Sequence, residues 1–265
     1  MSEPMLAVRG LDVDIVPPKG EPIPILRDVD LAVERGTVMG VVGESGSGKT
    51  MLLRALMRIL PDRAKRDWHQ VIFDGADVTE RFDRERLPLA MVFQDPLTSF
   101  NPLRRIGGHL TEVIARFQHV RGGEAQARAV AALTDVGIPD PERVMRQYPH
   151  QLSGGMRQRA MIAMALLAEP EVLVADEPTT ALDATIQAQI LALLHRLQVQ
   201  RGLTVVIVTH DLGVVAALCD RVTVMKDGRV VETGAVADVF ADPQQEYTRT
   251  LLAAIPAAEI EGGRA

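Results

Sequence analysis

The stretch "TVMGVVGESGSGKTMLLRALMRIL", residues 37–60, constrains this chain more than any other. A continuous apolar run, the mark of a buried strand, enters a glycine-rich turn, and helical periodicity follows up to Pro61. The turn has the spacing G-x-x-x-x-G-K-[ST] at Gly43, Gly48, Lys49 and Thr50, with Glu44, Ser45, Gly46 and Ser47 between. Small residues let backbone N–H groups close around phosphates, and the helix that follows turns the positive end of its dipole toward them. In that arrangement Lys49 bridges the β and γ phosphates of a nucleoside triphosphate and the Thr50 hydroxyl ligates Mg²⁺. A strand before the loop and a helix after it separate this reading from a glycine-rich turn with a solvated lysine.

Two further apolar strands deliver chemistry at their C-terminal ends, where ligands sit in open α/β sheets. "EVLVADEP" leads to Asp176 and Glu177, the first a candidate Mg²⁺ holder and the second a candidate base for an attacking water. "LTVVIVTHD" ends at His210, placed to touch a γ-phosphate and to hold the water and Glu177 in line. "LPLAMVFQDP" reads as another buried strand, ending near Gln94, whose amide could reach Mg²⁺ or water. "HQLSGGMRQRAMIAMALL" holds a second cradle, Ser153, Gly154 and Gly155 at a helix start, but no lysine follows it.

The remaining texture places these motifs. "MLAVRGLDVDIV" and "ILRDVDLAVERG" alternate apolar and polar residues, as half-buried strands do. "VIFDGADVT" is a strand with a turn at Asp74–Gly75. From Pro96 to Ala168 helical periodicity dominates, which reads as an inserted, mainly helical segment; strands and helices then alternate again. Fully apolar strands alternating with helices predict a parallel sheet covered on both faces. Met161 and Met164 read as helix core, and Arg157 and Arg159 as a solvated or partner-facing helix edge. The tail from Ala235 reads as short helices, with "EGGRA" frayed at its end.

Composition narrows the partners. A net charge of −6 in 265 residues argues against a general nucleic-acid binder. One cysteine, Cys219, allows no disulfide within the chain and reads as a small buried residue on a helix. The N-terminus lacks the apolar run of a signal peptide, and no apolar run approaches the roughly 18 residues of a bilayer span. The expected place is the cytoplasm, with any membrane spans supplied by another chain.

"GESGSGKT", Gln94 in "VFQDP", "LSGGM", "VLVADE", "ALD" and His210 in "VTHD" resemble, in order and spacing, the ATP-binding subunits of ABC transporters, over roughly residues 5–255. The resemblance implies a single ATP-binding domain of P-loop NTPase type. In it a RecA-like core and an antiparallel β lobe are formed by 5–95 and 169–234, a helical subdomain by 96–168, and a short C-terminal segment by 235–265. It implies ATP and Mg²⁺ as cofactors and ATP hydrolysis as the activity. Glu177, His210 and Gln94 take catalytic roles; Thr50, Gln94 and Asp176 hold Mg²⁺. Two subunits, alike or different, close head-to-tail over two ATP molecules, so that Ser153, Gly154 and Gly155 cover the partner's nucleotide and Asp183 of "ALD" lies at the seam. The second cradle then needs no lysine, because the partner's loop supplies one.

A narrower likeness is to oligopeptide, dipeptide and nickel importers, carried by "QDPLTSFNPLRRIG", "ADEPTTALD", Met156 after the signature glycines and the C-terminal Tyr247, Thr248, Leu251, Leu252, Ala254 and Pro256. Gln245-Glu246 stands where His-Pro is usual, and no cysteine cluster follows, so no iron–sulfur cluster is expected. Ile15 falls where such subunits often stack an aromatic ring on adenine; Val16 and Ile25 could give apolar contact instead. The likeness implies transmembrane permease partners, an indirect solute-binding protein, and residence on the cytoplasmic face of the membrane. The alternative is an ABC ATPase of a non-transport complex of the phosphonate-breakdown type.

Overall fold

The structure is a computed structural model and describes residues 3–180 and 182–253. In chain order its strands are β1 (Pro4–Ile15), β2 (Ile23–Glu34), β3 (Val38–Val42), β4 (Ala64–Asp67), β5 (Gln70–Phe73), β6 (Ala76–Asp77), β7 (Leu89–Val92), β8 (Val172–Asp176), β9 (Thr204–Val208), β10 (Arg221–Lys226) and β11 (Arg229–Ala235). Its α-helices are α1 (Lys49–Met57), α2 (Pro96–Ser99), α3 (Ile106–Phe117), α4 (Gly122–Asp135), α5 (Pro141–Arg146), α6 (Gly154–Leu166), α7 (Ala184–Arg201), α8 (Leu212–Leu218), α9 (Val236–Ala241) and α10 (Glu246–Ala253). Two compact units result: one from the described residues up to Leu87 and from Gly202 onward, the other from Pro88–Arg201. Ala254, Pro256 and the "EGGRA" tail lie outside the described residues.

In the first unit β1 and β2 form a long antiparallel pair, with Leu6 opposite Val33 and Ile15 opposite Ile23. The other edge of β1 takes β5 and β4, and β6 extends the sheet beyond β5. β2 keeps the expected alternation, burying Val29, Leu31 and Val33 between outward Asp28, Asp30 and Ala32. β1 departs from it: Met5, Leu6, Ala7, Val8, Leu11 and Val13 are all buried. Leu6, Ala7 and Val8 keep one register against Val33, Ala32 and Leu31, so Ala7 faces opposite to its neighbours and is buried all the same: β1, paired on both edges, is covered on both faces there.

A second sheet in this unit sets β3 parallel to both β9 and β10, with β11 antiparallel on β10. Every residue of β3 and β9 is buried, as apolar strands covered on both faces require. α1 buries Leu52, Leu53, Ala55 and Leu56, but it stops short of Pro61. Arg58 turns left-handed, and the N–H groups of Arg58 and Ile59 bond back to the Ala55 and Arg54 carbonyls, closing the helix before proline is reached. β4 carries no apolar pattern; its Arg66 lies over the Trp68 ring, donates to the Ala55 carbonyl and pairs with Asp83. Cys219 is buried just past the end of α8 rather than within it.

The second unit pairs β7 parallel to β8. β8 is wholly buried, whereas β7 leaves Leu89 and Met91 half-exposed; the expectation of a fully buried strand is thus corrected. Around them α3 contributes Ile106, Leu110 and Ile114 to the core, α4 contributes Ala125, Ala129 and Leu133, and α6 contributes Ala160, Met161 and Ile162, while Met164 is half-buried. Arg157 and Arg159 are half-buried and not a solvated edge: their guanidinium groups donate to the Leu152 and Val136 carbonyls, both at 2.7 Å. Those carbonyls end local hydrogen-bonded structure, and an arginine stem can cross apolar surface to reach them. Among the described residues no helix is long and apolar enough to cross a membrane.

Candidate active site

The glycine-rich loop of the first unit, the candidate phosphate loop, is built by constraint on both sides. Gly43 sits at φ 151°, and a β-carbon there would lie 2.1 Å from the Met225 carbonyl oxygen, so no other residue fits. The Ser47 N–H bonds to the Glu44 carbonyl, and the Ser47 carbonyl accepts from Gly228 in the β10–β11 turn. α1 begins at Lys49 with no side-chain cap on its first N–H groups, unlike α6 and α8, which Ser153 and Asp211 cap. Lys49 is 6% exposed, and its Nζ donates to the Gly43 carbonyl at 2.7 Å, the Glu44 carbonyl at 2.8 Å and Ser47 Oγ at 3.4 Å. The ammonium is thereby held across the mouth of its own loop, a buried cation surrounded by oxygen.

His210 belongs to the same unit and emerges at the same end of the sheet. Val41 of β3 pairs with Val208 of β9, so the segments that follow these neighbouring parallel strands leave side by side. His210 is exposed there, while Asp211 turns back to cap α8 by accepting from the Gly213 and Val214 N–H groups. Ile15, at the far end of β1, is half-buried between Ile23 and Ala64, an apolar contact without a ring.

In the second unit the parallel pairing of Val92 with Ala175 sends Gln94 and Glu177 out from one sheet edge. Gln94 Nε2 donates to Glu177 Oε2 at 2.9 Å, so two residues 83 apart in sequence meet. Asp176 is 5% exposed at the end of β8, and Glu177 follows in the left-handed region at φ 44°. A third residue joins them. Thr180 Oγ1 donates 2.8 Å to the same Glu177 Oε2, a role sequence reading missed although its three-residue spacing from Glu177 is that of a turn. Ser153 caps α6 through the Met156 N–H. Gly155 is required by packing, since a β-carbon there would stand 2.7 Å from Ile186 Cγ2, whereas one on Gly154 would meet only the Leu182 side chain at 3.3 Å. Asp183 caps α7 by accepting from the Ile186 N–H.

Comparison with known proteins agrees with this layout. The model of the ABC transporter family matches residues 26–180, and a model of an AAA domain matches residues 146–216. The chain is 44% identical over 97% of its length to the oligopeptide transport ATP-binding protein OppD of Bacillus subtilis (strain 168), covering 74% of that protein. It is 41% identical over 98% of its length to the dipeptide transport ATP-binding protein DppD of the same organism, covering 79% of it. Among solved structures, cbiO1 from Clostridium perfringens, part of the ABC transporter complex cbiONQ, superposes with a TM-score of 0.75 at 29% identity, covering 97% of this chain and 98% of its own. The dimeric cassette MJ0796, bound to ADP and Pi in a post-hydrolysis state, does so with a TM-score of 0.74 at 28% identity over 88% of this chain and 99% of its own. With a glycine-rich loop between β3 and α1 and an acidic pair at a strand end, the chain belongs to the ABC transporter family as an ATP-binding, ATP-hydrolysing subunit.

Proposed function

We propose that this subunit powers an importer of dipeptides, oligopeptides or a related small solute such as nickel, working on the cytoplasmic face of a membrane beneath permease subunits. The observation that carries this reading is similarity at 41–44% identity along nearly the whole chain to subunits named for oligopeptide and dipeptide transport. A phosphonate-breakdown complex has no such support. The test is purification from membranes followed by reconstitution. Permease chains should co-purify, and the vesicles should accumulate labelled dipeptide or oligopeptide only when ATP is supplied. Recovery with soluble enzymes and no permease would overturn the reading.

The residues have a division of labour in this proposal, within a single domain comprising 5–95 and 169–234 as RecA-like and β core, 96–168 as signature subdomain and 235–265 as C-terminal segment. Gly43, Glu44, Ser45, Gly46, Ser47 and Gly48 wrap the phosphates, and Lys49 exchanges its loop carbonyls for phosphate oxygens. The donors assigned to Mg²⁺ suit it: the Thr50 hydroxyl, the Gln94 amide oxygen and the buried Asp176 carboxylate are all hard oxygens. Mg²⁺, when bound, neutralises phosphate charge. Glu177 accepts the proton of the attacking water, and His210 stabilises the γ-phosphate that is attacked. Gln94, bonded to Glu177, reports occupancy to the helices that follow it. Ser153, Gly154 and Gly155 of each copy cover the nucleotide of a second ATPase subunit, with Asp183 at the seam. Positioning and fixed charge, rather than covalent chemistry, then supply most of the rate.

A further inference from the structure

The C-terminal helix reaches the phosphate loop. Tyr247, in the first turn of α10, places its hydroxyl 3.0 Å from the backbone nitrogen of Glu44 and accepts its N–H, across 203 residues of sequence. That N–H belongs to the same peptide group as the Gly43 carbonyl, and in a trans peptide the two point in opposite directions. The Gly43 carbonyl takes the Lys49 ammonium at 2.7 Å. One peptide plane is thus gripped from both sides, by a tyrosine hydroxyl on its N–H and by the lysine on its C=O. Each bond polarises the peptide in the sense that strengthens the other.

The helix that carries Tyr247 is itself tied down. Glu232 of β11 accepts from the Gln244 N–H at 2.8 Å and the Gln245 N–H at 3.2 Å, one carboxylate oxygen for each. Arg249 folds back onto the Pro243 and Gln244 carbonyls, and Thr248 is 2% exposed. The Lys226 ammonium lies 4.8 Å from the centre of the Tyr247 ring. The ring is therefore fixed by contacts that do not involve the phosphate loop, and its hydroxyl can act on the loop as an anchored group.

We infer that Tyr247 is a positioning residue for the nucleotide-binding lysine: through the Gly43–Glu44 peptide it fixes the carbonyl on which Lys49 rests, and so prepares the loop for the phosphates of ATP. The inference rests on Lys49 being the phosphate-binding lysine. Holding the loop in its binding geometry before ATP arrives removes an ordering cost from binding. The hydroxyl should therefore be felt in nucleotide affinity and not in the chemical step.

The experiment is ATP·Mg²⁺ titration of the purified full chain by calorimetry, with steady-state ATPase kinetics and melting curves, for the parent, Tyr247→Phe, Tyr247→Leu and Lys49→Ala. Tyr247→Phe keeps the ring against Lys226 and removes only the acceptor. Its Kd and KM for ATP should rise roughly three- to tenfold, the range of one neutral hydrogen bond, with kcat within about twofold of the parent and an unchanged melting curve. Tyr247→Leu should match it or exceed it. An unchanged Kd in Tyr247→Phe overturns the inference, as does a loss confined to kcat. Lys49→Ala separates the two layers. If it abolishes ATP binding while Tyr247→Phe changes nothing, the tyrosine's role fails alone. If it binds ATP like the parent, the assignment of the phosphate loop fails and this inference with it.

Discussion

Glu177 is the residue on which the proposed chemistry turns. A non-glycine residue at positive φ costs on the order of 1–2 kcal/mol, and Glu177 bears that cost at φ 44° directly after a wholly buried strand. The bend points its carboxylate at two donors, Gln94 and Thr180, which share Oε2. If Glu177 is the base, Glu177→Gln should still bind ATP yet turn over about 10²- to 10⁴-fold more slowly, measured by calorimetry and phosphate release. Turnover like the parent's would remove the assignment. Thr180→Val deletes a hydrogen bond that orients the carboxylate; kcat should fall roughly three- to tenfold while the Kd for ATP stays put. Cys219 makes the opposite kind of prediction. Burial, with Asp220 beside it, pushes its thiol from 9.0 up to about 12, so in the folded protein the reactive thiolate does not form near neutral pH. Iodoacetamide at pH 8 should leave Cys219 unlabelled until denaturant is added. Because the unfolded thiol ionises first, this group's contribution to stability is complete below pH 9 and is lost as pH rises toward 12.

At the level of elements, α6 and α7 meet where Gly155 leaves no room for a side chain. Gly155→Ala would press its methyl against Ile186, a β-branched residue that cannot swing aside, and should destabilise the protein by about 1–3 kcal/mol in urea unfolding. Adding Ile186→Ala should recover much of the loss, since Ile186 is only half-buried and the clash would be gone. The glycine of a sequence motif is thus also a packing residue, which the motif alone could not reveal. What was legible in the sequence follows a rule of locality. The phosphate loop, the apolar strands β3, β8 and β9 and the acidic pair announce themselves within a dozen residues. The pattern of β1 is not that of a half-buried strand because Ala7 and Leu6, on opposite faces, are both covered by segments found elsewhere in the chain. The anchoring of Arg159, which excludes the solvated alternative for it, was not legible because the carbonyl that holds it lies 23 residues upstream in Val136. Gln94 and Glu177 were each recognised, but their hydrogen bond joins two strand ends that only the fold brings together. The β11–α10 connection carries a further consequence. Burial would raise the Glu232 carboxyl, but the nearby Thr248 hydroxyl, the Gln244 and Gln245 N–H groups that it accepts from and the charge of Arg249 outweigh it and hold it below the usual carboxylate range. A carboxyl depressed in the folded state stabilises above its unfolded value and loses that contribution as pH falls through its folded one.

For the whole molecule, the question is whether one copy holds a complete active site. Ser153, Gly154 and Gly155 start α6 with their backbone N–H groups in the manner of an anion cradle, yet the chain has a single phosphate-loop lysine, in the other compact unit. A site shared between two copies accounts for both facts and leads to a test that single variants cannot give. In that reading Lys49→Ala disables a subunit's own loop and Gly154→Trp the cover it offers to a partner, while at Gly154 a new β-carbon would meet only the Leu182 side chain, at 3.3 Å. Each variant alone should be nearly inactive. In a dimer with one copy of each, isolated through a different affinity tag on each chain, one site carries both faults and the other carries none. Such dimers should recover up to about half the turnover of the parent, because phosphoryl transfer depends on a complete constellation at one site. If the signature acted on its own chain's nucleotide, both sites would hold one fault and the doubly tagged dimer would stay as inactive as either parent variant.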